Sequence, residues 1–236
     1  HKKSNAMSQN KKIYIANGQG FRGDSILGPI RLIREGKLDY LTLDYLAEVT
    51  MSIMQKLKAR NPNAGYATDF VRMLERILPE AKEKGVKIIS SAGGVNAEAC
   101  LRATGEAIRT LGLTGVKVAT VTGDDIFANL DAILEKGEPL KNMDSGEPLS
   151  AIRDNISSAN AYLGAFPIAQ ALAQGADIVI CGRVTDPSLV LGPMIHEFGW
   201  GEQDFDKLAA GTVAGHIVEC GAQCTGSNYT NWREIE

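Results

Sequence analysis

No apolar run in the 236 residues approaches the roughly 20 that a membrane span needs, and the N-terminal stretch carries no apolar segment of the signal-peptide kind. A cytoplasmic protein without a membrane partner is expected. Neither charge sign prevails, with 25 Lys and Arg against 28 Asp and Glu and a formal charge of −3. That balance removes the electrostatic basis for nucleic acid or an anionic lipid surface as main partner. Four cysteines, Cys100, Cys181, Cys220 and Cys224, are too few and too scattered for a disulfide framework, and a reducing compartment keeps them as thiols. A G-x-S-x-G elbow and a Walker motif are both absent, so nucleophile-elbow hydrolase and P-loop readings have no support.

What the chain does have is 44% apolar residues, and a single α/β domain of this size buries about 70% of its unfolded surface. His1–Ala6 reads as an expression-tag remnant before a natural start at Met7, and the polar ending Asn228–Glu236 reads as the break-off point of a longer native chain. Residues 7–236 are expected to form one α/β domain, with a subdomain boundary in the polar stretch 137–150. Short β-branched runs at Lys12–Asn17, Tyr40–Asp44, Val86–Ser91, Val116–Val121 and Asp177–Cys181 alternate with helical periodicity. Phe70, Val71, Leu74, Ile77, Leu78 and Ala81 recur at three- and four-residue steps, as do Cys100, Ala103, Ala107, Ile108 and Leu111. Gly36, Gly85, Gly115 and Gly175 are expected to close helices in the left-handed conformation. The fold class is α/β, a mainly parallel sheet with helices on its faces in a Rossmann-like layered architecture.

In such a sheet, chemistry gathers where strands end and helices begin. After the first strand, Gly18, Gly20 and Gly23 form a G-x-G-x-x-G loop able to approach an anion, with Asp44 placed 21 residues past Gly23 as a dinucleotide fold places its ribose carboxylate. The alternatives are an NAD(P) site and a tight turn. Asp44 and Glu48, four residues apart at the second strand end, suit acid/base chemistry or metal coordination, or else a helix cap and a solvated acid. The third loop offers Gly93, Gly94 and the expected N-cap Asn96, either an anion cradle or a structural turn. Asp124 and Asp125 complement a helix dipole.

The fifth loop, Cys181-Gly-Arg-Val-Thr-Asp-Pro-Ser188, is the richest. Arg183 can grip a carboxylate or phosphate, or pair internally with Asp186. His216 and Cys220 share a helical face, whereas Cys224 drifts by about 80°, and zinc ligands ordinarily come in tighter pairs. No metal site is assigned. His216 is instead a candidate proton-transfer group, or a hydrogen-bonded structural histidine.

Several segments together carry a resemblance. Gly18-Gln-Gly-Phe-Arg-Gly-Asp24, Leu38-Asp-Tyr-Leu-Thr-Leu-Asp-Tyr-Leu-Ala-Glu-Val-Thr-Met-Ser52, Gly65-Tyr-Ala-Thr-Asp-Phe70, Asn160-Ala-Tyr-Leu-Gly-Ala-Phe166, Gly182-Arg-Val-Thr-Asp-Pro187 and Leu208–His216 with Glu219–Gln223 resemble the acyclic terpene utilisation (AtuA) family. That resemblance implies a bacterial catabolic protein of acyclic terpene or branched-chain acyl-CoA breakdown, of which this chain is similar to the N-terminal part. It also lowers the weight of a nicotinamide cofactor. Expected roles are Asp44, Glu48 and His216 in catalysis, and Gly18, Gly20, Gly23, Gly93, Gly94, Asn96, Arg183 and Asp186 in substrate or anion binding. The reaction would be of lyase, hydratase or hydrolase type, on a small-molecule or acyl-CoA substrate, in a homo-oligomer, with no cofactor assigned. The rivals are an NAD(P)-binding oxidoreductase and a non-catalytic accessory subunit of a carboxylase-type complex, which would expose a large apolar patch.

Overall fold

The structure, a computed structural model, describes residues 11–221. Five strands, β1 (Ile15–Gln19), β2 (Tyr40–Leu43), β3 (Lys87–Ser90), β4 (Val118–Val121) and β5 (Ile178–Cys181), form one sheet in the order β1-β2-β3-β5-β4. Every neighbouring pair is parallel. The strands are apolar on both faces, as a doubly covered parallel sheet demands. In β5, Ile178 and Ile180 point into one cluster while Val179 and Cys181 point into the other, and Ile88 and Ile89 of β3 divide the same way.

The helices α1 (Leu27–Glu35), α2 (Glu48–Arg60), α3 (Thr68–Glu83) and α4 (Ala97–Thr110) supply the first cluster. α6 (Phe166–Ala173) and α7 (Ser188–Phe198) supply the second, and α8 (Phe205–Val218) packs against α7. Short α5 (Leu130–Glu135) follows β4. Of the stripe expected for α3, Phe70, Leu74, Ile77, Leu78 and Ala81 are buried, joined by Met73, while Val71 is half-buried. Truncating Phe70, fully buried, would cost about 3–5 kcal/mol.

Topology decides where a crevice opens. The chain steps from β1 through β2 and β3 in one direction, passes over to β4, and returns to insert β5 between β3 and β4. Right-handed crossovers then send α4, between β3 and β4, and α6, between β4 and β5, to opposite faces, so the strand ends part between β3 and β5, the switch point of the sheet. β1 lies at an edge, unlike the central first strand of a dinucleotide-binding sheet.

Two expected helix ends differ. Gly85 (φ 71°) and Gly175 (φ 86°) are left-handed closures, each with the paired 6→1 and 5→2 bonds of a Schellman motif. The matching closure of α4 falls on Gly112, not Gly115, and Gly36 is extended with φ −80°. The stretch 137–150 is largely exposed. The chain then returns to the strand-end rim, where Asp125 bridges Asn160 and Leu163 bridges Val184. Among the described residues no helix is long and apolar enough to cross a membrane.

Candidate active site

At the switch point the ends of β2, β3 and β5 are tied together through side chains. Asp44 directly follows β2 and is 4% exposed. Its Oδ1 accepts the Ser91 hydroxyl at 2.6 Å and the Leu46 N–H at 3.1 Å. Burial pushes the Asp44 carboxyl up from the ordinary 3.8 to about 6, against the lowering effect of those two donors; Glu219 adds to the rise and Arg183 opposes it. A buried acid that titrates near neutrality is suited to proton transfer.

Arg183 is 6% exposed and fully engaged. One guanidinium nitrogen donates to the Leu46 carbonyl at 2.7 Å, the other reaches Glu48 and Asp186 at 3.4 Å each, and the plane lies 4.4 Å over the Tyr162 ring. Its backbone N–H donates to buried Asp124 at 2.9 Å, which also accepts from Asn160 at 3.0 Å. Arg183 therefore staples three loops together rather than standing open for a substrate anion. Glu48, 76% exposed on its side chain, accepts the Tyr162 hydroxyl, and that bond holds its carboxyl below the usual range. It stays anionic at neutral pH, which suits charge placement better than proton shuttling. The N-cap of α2 is Ala47, with no side-chain cap, so Asp44 does not cap the helix.

The glycine loops do different work from that expected. The N–H groups of Gly20 and Ser25 donate to Asp24, and that of Gly23 to Asp69, at 2.7–3.0 Å. A Cβ on Gly20 would sit 2.7 Å from the Cys220 carbonyl oxygen, and one on Gly18 would press into Pro29. The loop is filled by the chain's own carboxylates and backbone, so Gly18, Gly20 and Gly23 present no phosphate cradle. In the third loop the N–H groups of Gly93, Gly94 and Asn96 donate to Cys181, Ser91 and Gly93 carbonyls. The Asn96 side chain caps α4 and donates to Pro62 and Ala64. Gly93, Gly94 and Asn96 thus pack the switch point instead of holding an anion.

His216 approaches Asp186 and Glu219, with donor atoms of all three within 4.8 Å of one another. Cys100, Cys181 and Cys220 are free thiols, and Cys224 lies outside the described residues. Of the expected site residues, the structure thus brings Asp44, Glu48, Arg183, Asp186 and His216 to one rim. Ser91, Asp124, Tyr162 and Glu219 belong to the same network and were not singled out by sequence. Glu219 was within reach, since it stands three residues past His216 on one helical face.

Fold and site together define a three-layer α/β protein with a buried acid and guanidinium, and an exposed imidazole beside them, at the switch point of a parallel sheet. The chain belongs to the acyclic terpene utilisation family: the model described as acyclic terpene utilisation family protein AtuA matches residues 13–236. Neither the comparison with curated proteins nor that with solved structures gives a significant match. Family membership points to a role in acyclic terpene utilisation.

Proposed function

We propose that this protein is an enzyme of acyclic terpene or branched-chain acyl-CoA degradation, of lyase or hydratase type, in which Asp44 carries the proton. The observation that carries the reading is Asp44 itself. A carboxyl 4% exposed, held by Ser91 and pushed up to about 6, is costly to keep and useful for moving protons at neutral pH. Arg183 is a positioning residue that locks the loops around it, and Glu48 fixes Arg183 and Tyr162. An acyl thioester fits this chemistry because the carbons near its carbonyl exchange protons with a nearby base. The NAD(P) alternative loses support with the filled glycine loop and the edge position of β1.

A second reading, an accessory subunit, draws on α8, where Phe205, Val213 and Ile217 are 65%, 60% and 66% exposed. One experiment separates the two. The protein is incubated with branched and unsaturated acyl-CoA thioesters and the products are read by mass spectrometry. The enzyme reading predicts a mass change, such as gain of water, that Asp44→Asn abolishes. Unchanged thioesters across the panel would contradict it and favour docking.

A further inference from the structure

Across from Asp44 stands a group that proton transfer does not use. Asp186 lies in the turn between β5 and α7, His216 in the last turn of α8, and Glu219 at its C-cap. Each offers one donor atom, and the donors lie within 4.8 Å of one another, converging from two separate elements. His216 and Glu219 are three residues apart, so they project from one helical face. His216 makes no hydrogen bond or ion pair among the described residues.

The approach is built in. A Cβ at Gly215 would lie 2.8 Å from the Pro187 carbonyl oxygen and 3.0 Å from its Cβ, so any larger residue would push α8, with His216 and Glu219, away from Asp186. The charges are also unbalanced. Among the described residues Asp44, Asp186 and Glu219 share this space with one cation, Arg183, which reaches Asp186 only at 3.4 Å.

We propose that Asp186, His216 and Glu219 bind a divalent transition-metal ion. One imidazole with two carboxylates suits Zn²⁺ or Mn²⁺ better than Mg²⁺ or Ca²⁺, which prefer all-oxygen sites. Three protein donors leave coordination positions for water or a substrate oxygen, the pattern of catalytic rather than structural sites. His216 is then a ligand, and proton transfer rests on Asp44.

The test reads metal directly. Protein stripped with a chelator and titrated with Zn²⁺, and separately with Mn²⁺, should take up one equivalent by calorimetry and elemental analysis. His216→Ala and Asp186→Asn should each weaken uptake at least tenfold, whereas His196→Ala, on α7, should leave it unchanged. Glu219→Gln, nearly isosteric, decides the matter if either variant melts abnormally in chelator. Co²⁺ should give visible d–d bands without a thiolate charge-transfer band. Absence of stoichiometric uptake, wild-type affinity in the ligand variants, or a thiolate band implicating Cys220 or Cys224 would overturn the site. No substrate is needed, so failure here leaves the acyl chemistry standing, and failure of that chemistry leaves the metal site standing.

Discussion

The hydroxyl of Ser91, just past β3, donates to Asp44, just past β2, at 2.6 Å, and the same oxygen accepts the Tyr45 N–H at 2.9 Å. Two adjacent strand ends are thereby locked around one buried acid, which fixes where a proton can be handed over.

The acid leaves a signature in stability. Its folded value, about 6, lies above the ordinary 3.8, so its contribution is fully present below about pH 3.8 and is lost as pH rises through 6. That rise corresponds to about 3 kcal/mol. Urea unfolding in EDTA should therefore show the wild type losing stability relative to Asp44→Asn between pH 4 and pH 7. Parallel pH profiles for the two proteins would contradict the assignment.

Arg183 should be a stability residue and its exposed partner should not. Arg183→Ala leaves the Leu46 carbonyl without its donor and half-exposed Asp186 without its cation, and a loss of about 3 kcal/mol is expected. Arg183→Lys keeps the charge but loses the fork and the stacking on Tyr162, so it should recover less than half. Glu48→Ala removes a pair whose acid is 76% exposed and should cost under about 1 kcal/mol. Chemical denaturation of the three variants checks the ranking.

Gly93 tests the reassignment of the third loop. Any Cβ there would press into the Cys181 carbonyl oxygen, which accepts the Gly93 N–H at 2.9 Å. Gly93→Ala should destabilise by about 2 kcal/mol or more. A neutral substitution would mean that the loop is free, as an anion cradle would be.

The thiols should differ in reactivity for a stated reason. Cys100 is held at about 12 by burial, and burial likewise raises Cys181. Both should resist a thiol reagent until the protein unfolds. Cys220 is pushed to about 12 chiefly by its hydrogen bond to Glu219, so Glu219→Gln should accelerate its labelling. An unchanged rate would remove Glu219 from that contact.

Much of this architecture was legible in the chain. Runs such as Val86–Ser91 and Asp177–Cys181 announced strands because β-branched residues bounded by turns have few other uses. Strand order was not legible, since only long-range packing places β5 between β3 and β4. β1 was expected three residues early because Ile13 begins the apolar pattern, whereas the strand runs to polar Gln19 alongside Leu43. Asp44 and Arg183 were singled out because strand ends are where functional side chains collect, and His216 because it shares a helical face with Cys220. Tyr162 and Asp124 were not, because their roles arise only when the chain returns from its excursion past 137–150. The glycine spacing misled because spacing cannot say what fills the space, here the backbone of Cys220.

The most direct test of the central claim is turnover of branched acyl-CoA thioesters by the wild type and Asp44→Asn side by side, with both folds verified by circular dichroism. General acid–base catalysis supplies about 10²–10⁴-fold, so the account predicts product with the wild type and a loss of at least about a hundredfold in the variant. Equal turnover by the two proteins would contradict it.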